Sequence, residues 1–239
     1  MHLTERQKQQ YEHDGFLVIA GFYERQVVEQ MVEHFMNLFN TARGPGAAAV
    51  PAGYSDTADQ PYPRLINMHT SDKFTGEMAM RPDLVDIMEE LLQEKAVLQV
   101  TMFYLKPPGA RGQALHQTHQ FVTLDPLVSM WTALDVADRD VGQMIVVPGS
   151  HKHGLLEVAT ADTTQSFVNA RTIVPPGLSE AGVDMQPGDV LLFHPLTIHG
   201  SYPNVTAGRL RRSFNCTYIG ANAKHFEPPQ GKHVSHLKD

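Results

Sequence analysis

The 239-residue chain has one cysteine, Cys216, so it can form no internal disulfide, and a reducing, cytoplasmic compartment is the expectation. It has no apolar run near the roughly 18 residues that a membrane-spanning helix needs, so no such helix is expected. It has no basic tract, and its formal net charge is −7, so nucleic acid is not an expected partner. The opening residues, Met1-His2-Leu3-Thr4-Glu5-Arg6-Gln7, are polar and do not read as a secretion signal. Linker-like composition and internal repeats are missing as well, so one domain over 1–239 is expected. What remains is ordinary globular material, 42% hydrophobic and 19% charged, enough to bury a core and to offer a small molecule a pocket. Nothing in it speaks to oligomeric state.

Thr4-x-x-Gln7 reads as a capping box that opens a helix, and Asp14-Gly15 ends it. Phe16-Leu17-Val18-Ile19 reads as a first strand. A helix is expected over about 24–39, with Val27, Val28, Met31, Val32, Phe35 and Leu38 on one face, and another over 81–94 with Pro82 in its first turn. The Gly-, Ala- and Pro-rich stretch 41–63 reads as a long loop of the kind that forms lids. A short strand is expected at 64–67. From Ala96 onward the chain turns β-rich. Strands are expected at 97–104, then near 115–123, 128–135, 143–147, 170–174, 190–193 and 209–219, with a polar, irregular tail after Gly220. Pro-Gly punctuation between many short strands predicts a sandwich or jelly roll with a helical N-terminal part.

One further absence is local. His116-Gln117-Thr118 has the spacing of a His-x-Asp metal frame, in which two histidines and one carboxylate hold one face of a metal ion, but Thr118 stands where the acid belongs. In a strand, positions two apart share a face, so an acid at 118 would reach the metal that His116 reaches, while His119 would point away. His194 and His199 straddle a turn at Pro195, and either could reach the same metal.

Four segments stand in order: Lys106-Pro107-Pro108-Gly109 with His116-Gln117-Thr118-His119; Trp131-Thr132-Ala133-Leu134-Asp135; Gly142 to His151; and Gly188-Asp189 through His199-Gly200-Ser201 to Arg211-Arg212. Together they resemble the phytanoyl-CoA dioxygenase family of Fe(II)/2-oxoglutarate oxygenases, from Asp14-Gly15-Phe16 to about Tyr218. The resemblance implies a double-stranded β-helix, which agrees with the strand pattern. It implies that His116 and His199 ligate Fe(II), which selects His199 over His194. It implies that Arg211, 12 positions after His199 (211 − 199), binds the distal carboxylate of 2-oxoglutarate in preference to Arg209 or Arg212, a task suited to a planar guanidinium. Ser201 is a candidate helper for that carboxylate. Met102 and Tyr104 lie on a strand that lines the cosubstrate pocket in relatives, and Trp131 on another that passes the site. His119 and His194 read as structural or substrate-facing, and His151 as architectural.

Thr118 leaves three readings. In the first, an oxygenase works with two histidines while water or a nearby group fills the vacancy, using 2-oxoglutarate and O2. In the second, a halogenase binds chloride there. In the third, the fold has lost its metal and binds a ligand without chemistry. The substrate is a small molecule that the sequence does not identify. Arg64, Asn67 and His69 are candidates to meet a polar or anionic one.

Overall fold

The computed structural model describes residues 1–43, 54–55 and 64–229. The elements run α1 (Glu5–Asp14), β1 (Phe16–Ile19), α2 (Arg25–Arg43), β2 (Tyr54–Ser55), β3 (Arg64–Ile66), α3 (Lys73–Ala79), α4 (Pro82–Leu92), β4 (Ala96–Lys106), β5 (Gln113–His116), β6 (Leu124–Ala133), β7 (Met144–Val146), β8 (Val158–Thr160), β9 (Ala170–Thr172), β10 (Ala181–Val183), β11 (Val190–Phe193), β12 (His199–Ser201) and β13 (Arg211–His225). Short 3-10 turns lie at Met68–Thr70, Thr118–Gln120 and Ser150–His153.

Two antiparallel sheets face each other as a jelly roll. The larger has the order β1-β11-β6-β13-β4-β3-β2 and the smaller β10-β7-β12-β5. Alternation along the strands divides the larger sheet into two faces. Phe103 and Leu105 on β4, Phe214, Cys216 and Tyr218 on β13, and Val190 and Leu192 on β11 point outward into the main apolar core. There α2 supplies Val28, Met31, Phe35 and Phe39, and α4 supplies Leu84, Ile87, Met88 and Leu92. Phe35 stacks between Phe103 and Phe214, at ring distances of 5.1 and 5.0 Å. The inner face carries a different set, because Arg211 pairs across to Lys106, Ser213 to Tyr104 and Asn215 to Met102 in register.

The N-terminal punctuation works as its residue types require. Thr4 Oγ1 accepts from the Gln7 amide and the Gln7 side chain accepts from the Thr4 amide, closing the capping box. Gly15 ends α1 at a left-handed φ of 80°, and an added side chain there would collide with His151 and Thr197.

Among the departures from the expected elements, two stand out. The strand expected over 115–123 stops at His116, and Thr118 opens a 3-10 turn, so the two do not share a strand face. The capping pair of Gln117 and Gln120 is what bends the chain there. The last strand runs past Gly220 to His225, because Lys224 and His225 pair with Asp125 and Leu124, so the chain just beyond Gly220 is not irregular. The expected 41–63 loop lies largely outside the described residues.

Candidate metal centre

His116 ends β5 and His199 begins β12, and the two are cross-strand partners in the smaller sheet. Their rings sit 4.1 Å apart, centre to centre, and both are buried. His116 Nδ1 lies 2.9 Å from the Ala114 carbonyl and His199 Nδ1 lies 2.9 Å from the Thr197 carbonyl. A carbonyl only accepts, so each Nδ1 carries the hydrogen and donates, and each Nε2 keeps its lone pair. Burial pushes His116 down to about 4, helped by the Arg64 guanidinium and opposed by the Ala114 bond. Burial, then the neighbouring His116, holds His199 well below its usual value. Both rings are therefore neutral at neutral pH, which is the state that binds a metal. Among the described residues no third His, Cys, Asp or Glu joins them.

The rings open on a cavity of about 200 Å³ between the two sheets. Thr118, Met102, Tyr104, Trp131, Ser201 and Arg211 all line it, so the candidate residues converge on one space. No Asp or Glu does so among the described residues. The three arginines of the Arg209-to-Arg212 run now separate. Arg212 makes a two-pronged bond to Asp135, with contacts of 2.8 and 2.6 Å. Arg209 pairs with Asp138 at the surface. Arg211 is 2% exposed, reaches only the Gly142 carbonyl at 3.3 Å through Nη1, and leaves Nε without a hydrogen bond among the described residues. Its guanidinium lies 5.4 Å from the Tyr104 ring and 5.1 Å from Trp131. Burial brings its pKa down to about 10, so the charge persists at neutral pH. A buried cation with no carboxylate is unstable by itself and suits an anionic ligand.

Lys106 was not anticipated from the sequence. It is fully buried, and Nζ donates to Ser201 Oγ at 2.9 Å and to the Tyr202 carbonyl at 2.6 Å. Burial, and then Arg211, hold its amine well below the usual range. Ser129 was also missed. Its hydroxyl lies 3.1 Å from Thr118 Oγ1, so the position of the absent acid holds a pair of hydroxyls. Neither residue has a sequence signal beyond its motif neighbours, since burial and cross-strand pairing decide both.

The other histidines fall elsewhere. His119 bonds Val122 and Asp125, His151 bonds the Glu12 carbonyl, and His194 Nδ1 accepts from the Leu196 amide. Of the proposed substrate contacts, Arg64 lines the cavity, whereas Asn67 and His69 do not. Arg64 lies over the Tyr104 and Phe167 rings at 5.0 and 5.1 Å. The two neutral Nε2 atoms fit a metal ion that takes nitrogen ligands, and the unpaired Arg211 fits a carboxylate beside it.

Known proteins similar to this chain share its family and its fold. The family model described as phytanoyl-CoA dioxygenase (PhyH) matches residues 11–213. Peroxisomal phytanoyl-CoA dioxygenase of Rattus norvegicus is 27% identical over 241 residues, covering 93% of this chain and 70% of the relative. The 2-aminoethylphosphonate dioxygenase of uncultured bacterium HF130_AEPn_1 is 26% identical over 226 residues, covering 91% and 82%. Among solved structures, the non-heme alpha ketoglutarate dependent carbocyclase SnoK from nogalamycin biosynthesis matches with a TM-score of 0.75 at 15% identity, covering 95% of this chain and 88% of that one. EctD from S. alaskensis with bound Fe matches with a TM-score of 0.74 at 17% identity, covering 98% and 87%. These two structures share the fold.

Proposed function

The chain belongs to the phytanoyl-CoA dioxygenase family of iron- and 2-oxoglutarate-dependent oxygenases, and from that premise we propose that it oxidises a C–H bond of a small molecule at a site with two histidine ligands, His116 and His199, and no carboxylate. The observation that carries this reading is the meeting, in one cavity that no acid lines among the described residues, of two neutral imidazoles whose Nδ1 atoms are held by backbone carbonyls and a buried arginine with no acid partner among those residues. When bound, iron and 2-oxoglutarate supply the reduction of O2 coupled to loss of carbon dioxide from the cosubstrate.

The chain's own residues position the reactants. Arg211 grips the distal carboxylate of the cosubstrate through charge-assisted bonds. Ser201 Oγ already accepts from Lys106 Nζ and from the Gln113 amide, so its own hydrogen is the part left to donate to that carboxylate. Tyr104 and Trp131 wall the guanidinium, and Met102 continues that wall. Arg64, at the cavity wall with no acid partner among the described residues, suits a substrate with an anionic group.

A halogenase has one specific support, the uncharged Thr118–Ser129 pair where an acid would stand. The donor count separates the two readings. Two hydroxyls carry two hydrogens, and their mutual bond uses one. One donor and several lone pairs remain, and water satisfies both kinds while a halide uses only the donor. Water in the vacancy, and therefore oxygenation, is favoured. A metal-free binding protein would have no use for two adjacent neutral imidazoles in the cavity wall.

An anaerobic titration of the apo-protein with Fe(II) and 2-oxoglutarate, followed by visible charge-transfer absorbance, tests the reading. A band that ignores added chloride supports the oxygenase. A band that shifts with chloride transfers the proposal to the halogenase, and the absence of any band removes both.

A further inference from the structure

The smaller sheet contains an irregularity beside the candidate metal centre. His199 pairs with His116 and Ser201 with Gln113, so two steps on β12 (201 − 199) face three on β5 (116 − 113). The extra residue is a β-bulge. In a regular strand, residues three apart point to opposite faces. The bulge removes that opposition and brings Gln113 to the side of His116. Its amide nitrogen lies 3.3 Å from His116 Nε2, the atom whose lone pair faces the cavity. Gly200 sits opposite, where a side chain would strike the Gln113 carbonyl oxygen at 2.7 Å and the Leu115 nitrogen at 3.2 Å, so the close approach of β12 to the bulge depends on a glycine.

We propose that Gln113 supplies a third protein ligand to the metal, through its side-chain carbonyl oxygen. The proposal rests on the two-histidine reading above. The two ends of an amide differ only by a half-turn of the terminal group. With the site empty, the NH2 end can donate to the Nε2 lone pair. A metal ion takes that lone pair, and the half-turn then directs the oxygen toward the same ion. Amide carbonyls are established oxygen ligands for divalent ions. Thr118 is engaged with Ser129, and its neutral hydroxyl is the weaker candidate. A neutral ligand in place of a carboxylate leaves the metal one charge more positive. Anion binding at the remaining positions then gains in importance, in keeping with a cavity lined by arginines and, among the described residues, by no acid.

The test is Mn(II) affinity, read from the free-ion EPR signal, for the full chain and four variants whose folding is checked by thermal melting. Gln113→Leu keeps the volume and removes the donor, and should weaken Mn(II) binding at least about tenfold. Gln113→Glu keeps the shape and adds a charge, and should bind Mn(II) more tightly than the parent. Lys73→Ala, at an exposed position on α3, should bind as the parent does, and His116→Ala should lose the ion. Parental affinity in Gln113→Leu, or no tightening in Gln113→Glu, overturns the proposal while leaving the two-histidine site intact. Unchanged binding in His116→Ala, or none by the parent chain, removes the two-histidine reading and this proposal with it.

Discussion

The two faces of the seven-stranded sheet come from the same strands and differ in kind. On β13, Phe214, Cys216 and Tyr218 point outward into packed apolar side chains, while Arg211, Ser213 and Asn215 between them point inward. The outer face largely satisfies itself, Thr132 Oγ1 being its exception among the described strand residues. Phe35, Phe103 and Phe214 stack, and the Tyr218 hydroxyl donates to the Ala79 carbonyl at 2.6 Å. The inner face does not. Arg211 Nε, Ser213 Oγ and Asn215 Oδ1 are buried without hydrogen bonds among the described residues. Buried polar groups in that condition destabilise a fold, so their concentration on one face marks where a ligand completes the structure. The outer face is built for stability and the inner for binding, at a cost in stability.

The comparison can be broken from the outside first. Phe214→Ala removes the ring that Phe35 stacks on and should cost about 3–5 kcal/mol in denaturant unfolding. Metal affinity of the surviving folded protein should stay at the parental value. Loss of metal binding with the fold intact would mean that the faces are not separate.

Acid acts on a histidine outside the cavity. His194, which burial pushes down to about 4, takes the Leu196 amide on Nδ1 and stays neutral in the fold. Its pKa is depressed below the usual 6.5, so the unfolded chain binds the proton first as pH falls. Its stability contribution is whole above about 6.5 and is lost between there and 4, at most about 3 kcal/mol. Melting temperature should fall across that window, and His194→Gln should flatten the fall. An equally steep fall in the variant would assign the loss to other groups.

Arg211→Met sharpens the contrast. Removing an unpaired buried charge should stabilise the ligand-free protein by about 1 kcal/mol. The same change should weaken 2-oxoglutarate roughly a hundredfold, the scale of two charge-assisted hydrogen bonds. Calorimetry and thermal melting read the two effects separately, and a destabilised variant would mean that the guanidinium serves the fold. The smallest effect belongs to Thr118→Val, which breaks one hydroxyl pair and should change stability by roughly 1 kcal/mol or less.

Much of the fold was legible because it rests on local rules. The Thr4 capping box, the Gly15 stop, the heptad-like face of α2 and the period-two faces of β4 and β13 follow from residue type and spacing. That same alternation places Met102 and Tyr104 inward together, with Arg211 lining the cavity while Arg212 pairs with Asp135 on the other face. Relations between strands were not legible. The turn after His116 depends on Gln117 and Gln120 clasping each other, the bulge at Gln113 on register with β12, and the burial of Lys106 on the partner opposite it. None of these has a period in the sequence, and all three lie at the candidate site, where local rules yield to the demands of a ligand.

In the proposed reading, two neutral histidines and an arginine with no acid partner among the described residues serve a single cavity. Calorimetric titration of 2-oxoglutarate into the apo-protein, with and without Mn(II), tests it most directly. The metal should tighten 2-oxoglutarate at least about tenfold, and 2-oxoglutarate should tighten the metal by the same factor, because linkage is reciprocal. Binding of 2-oxoglutarate that is indifferent to the metal, or no binding of either, would contradict it.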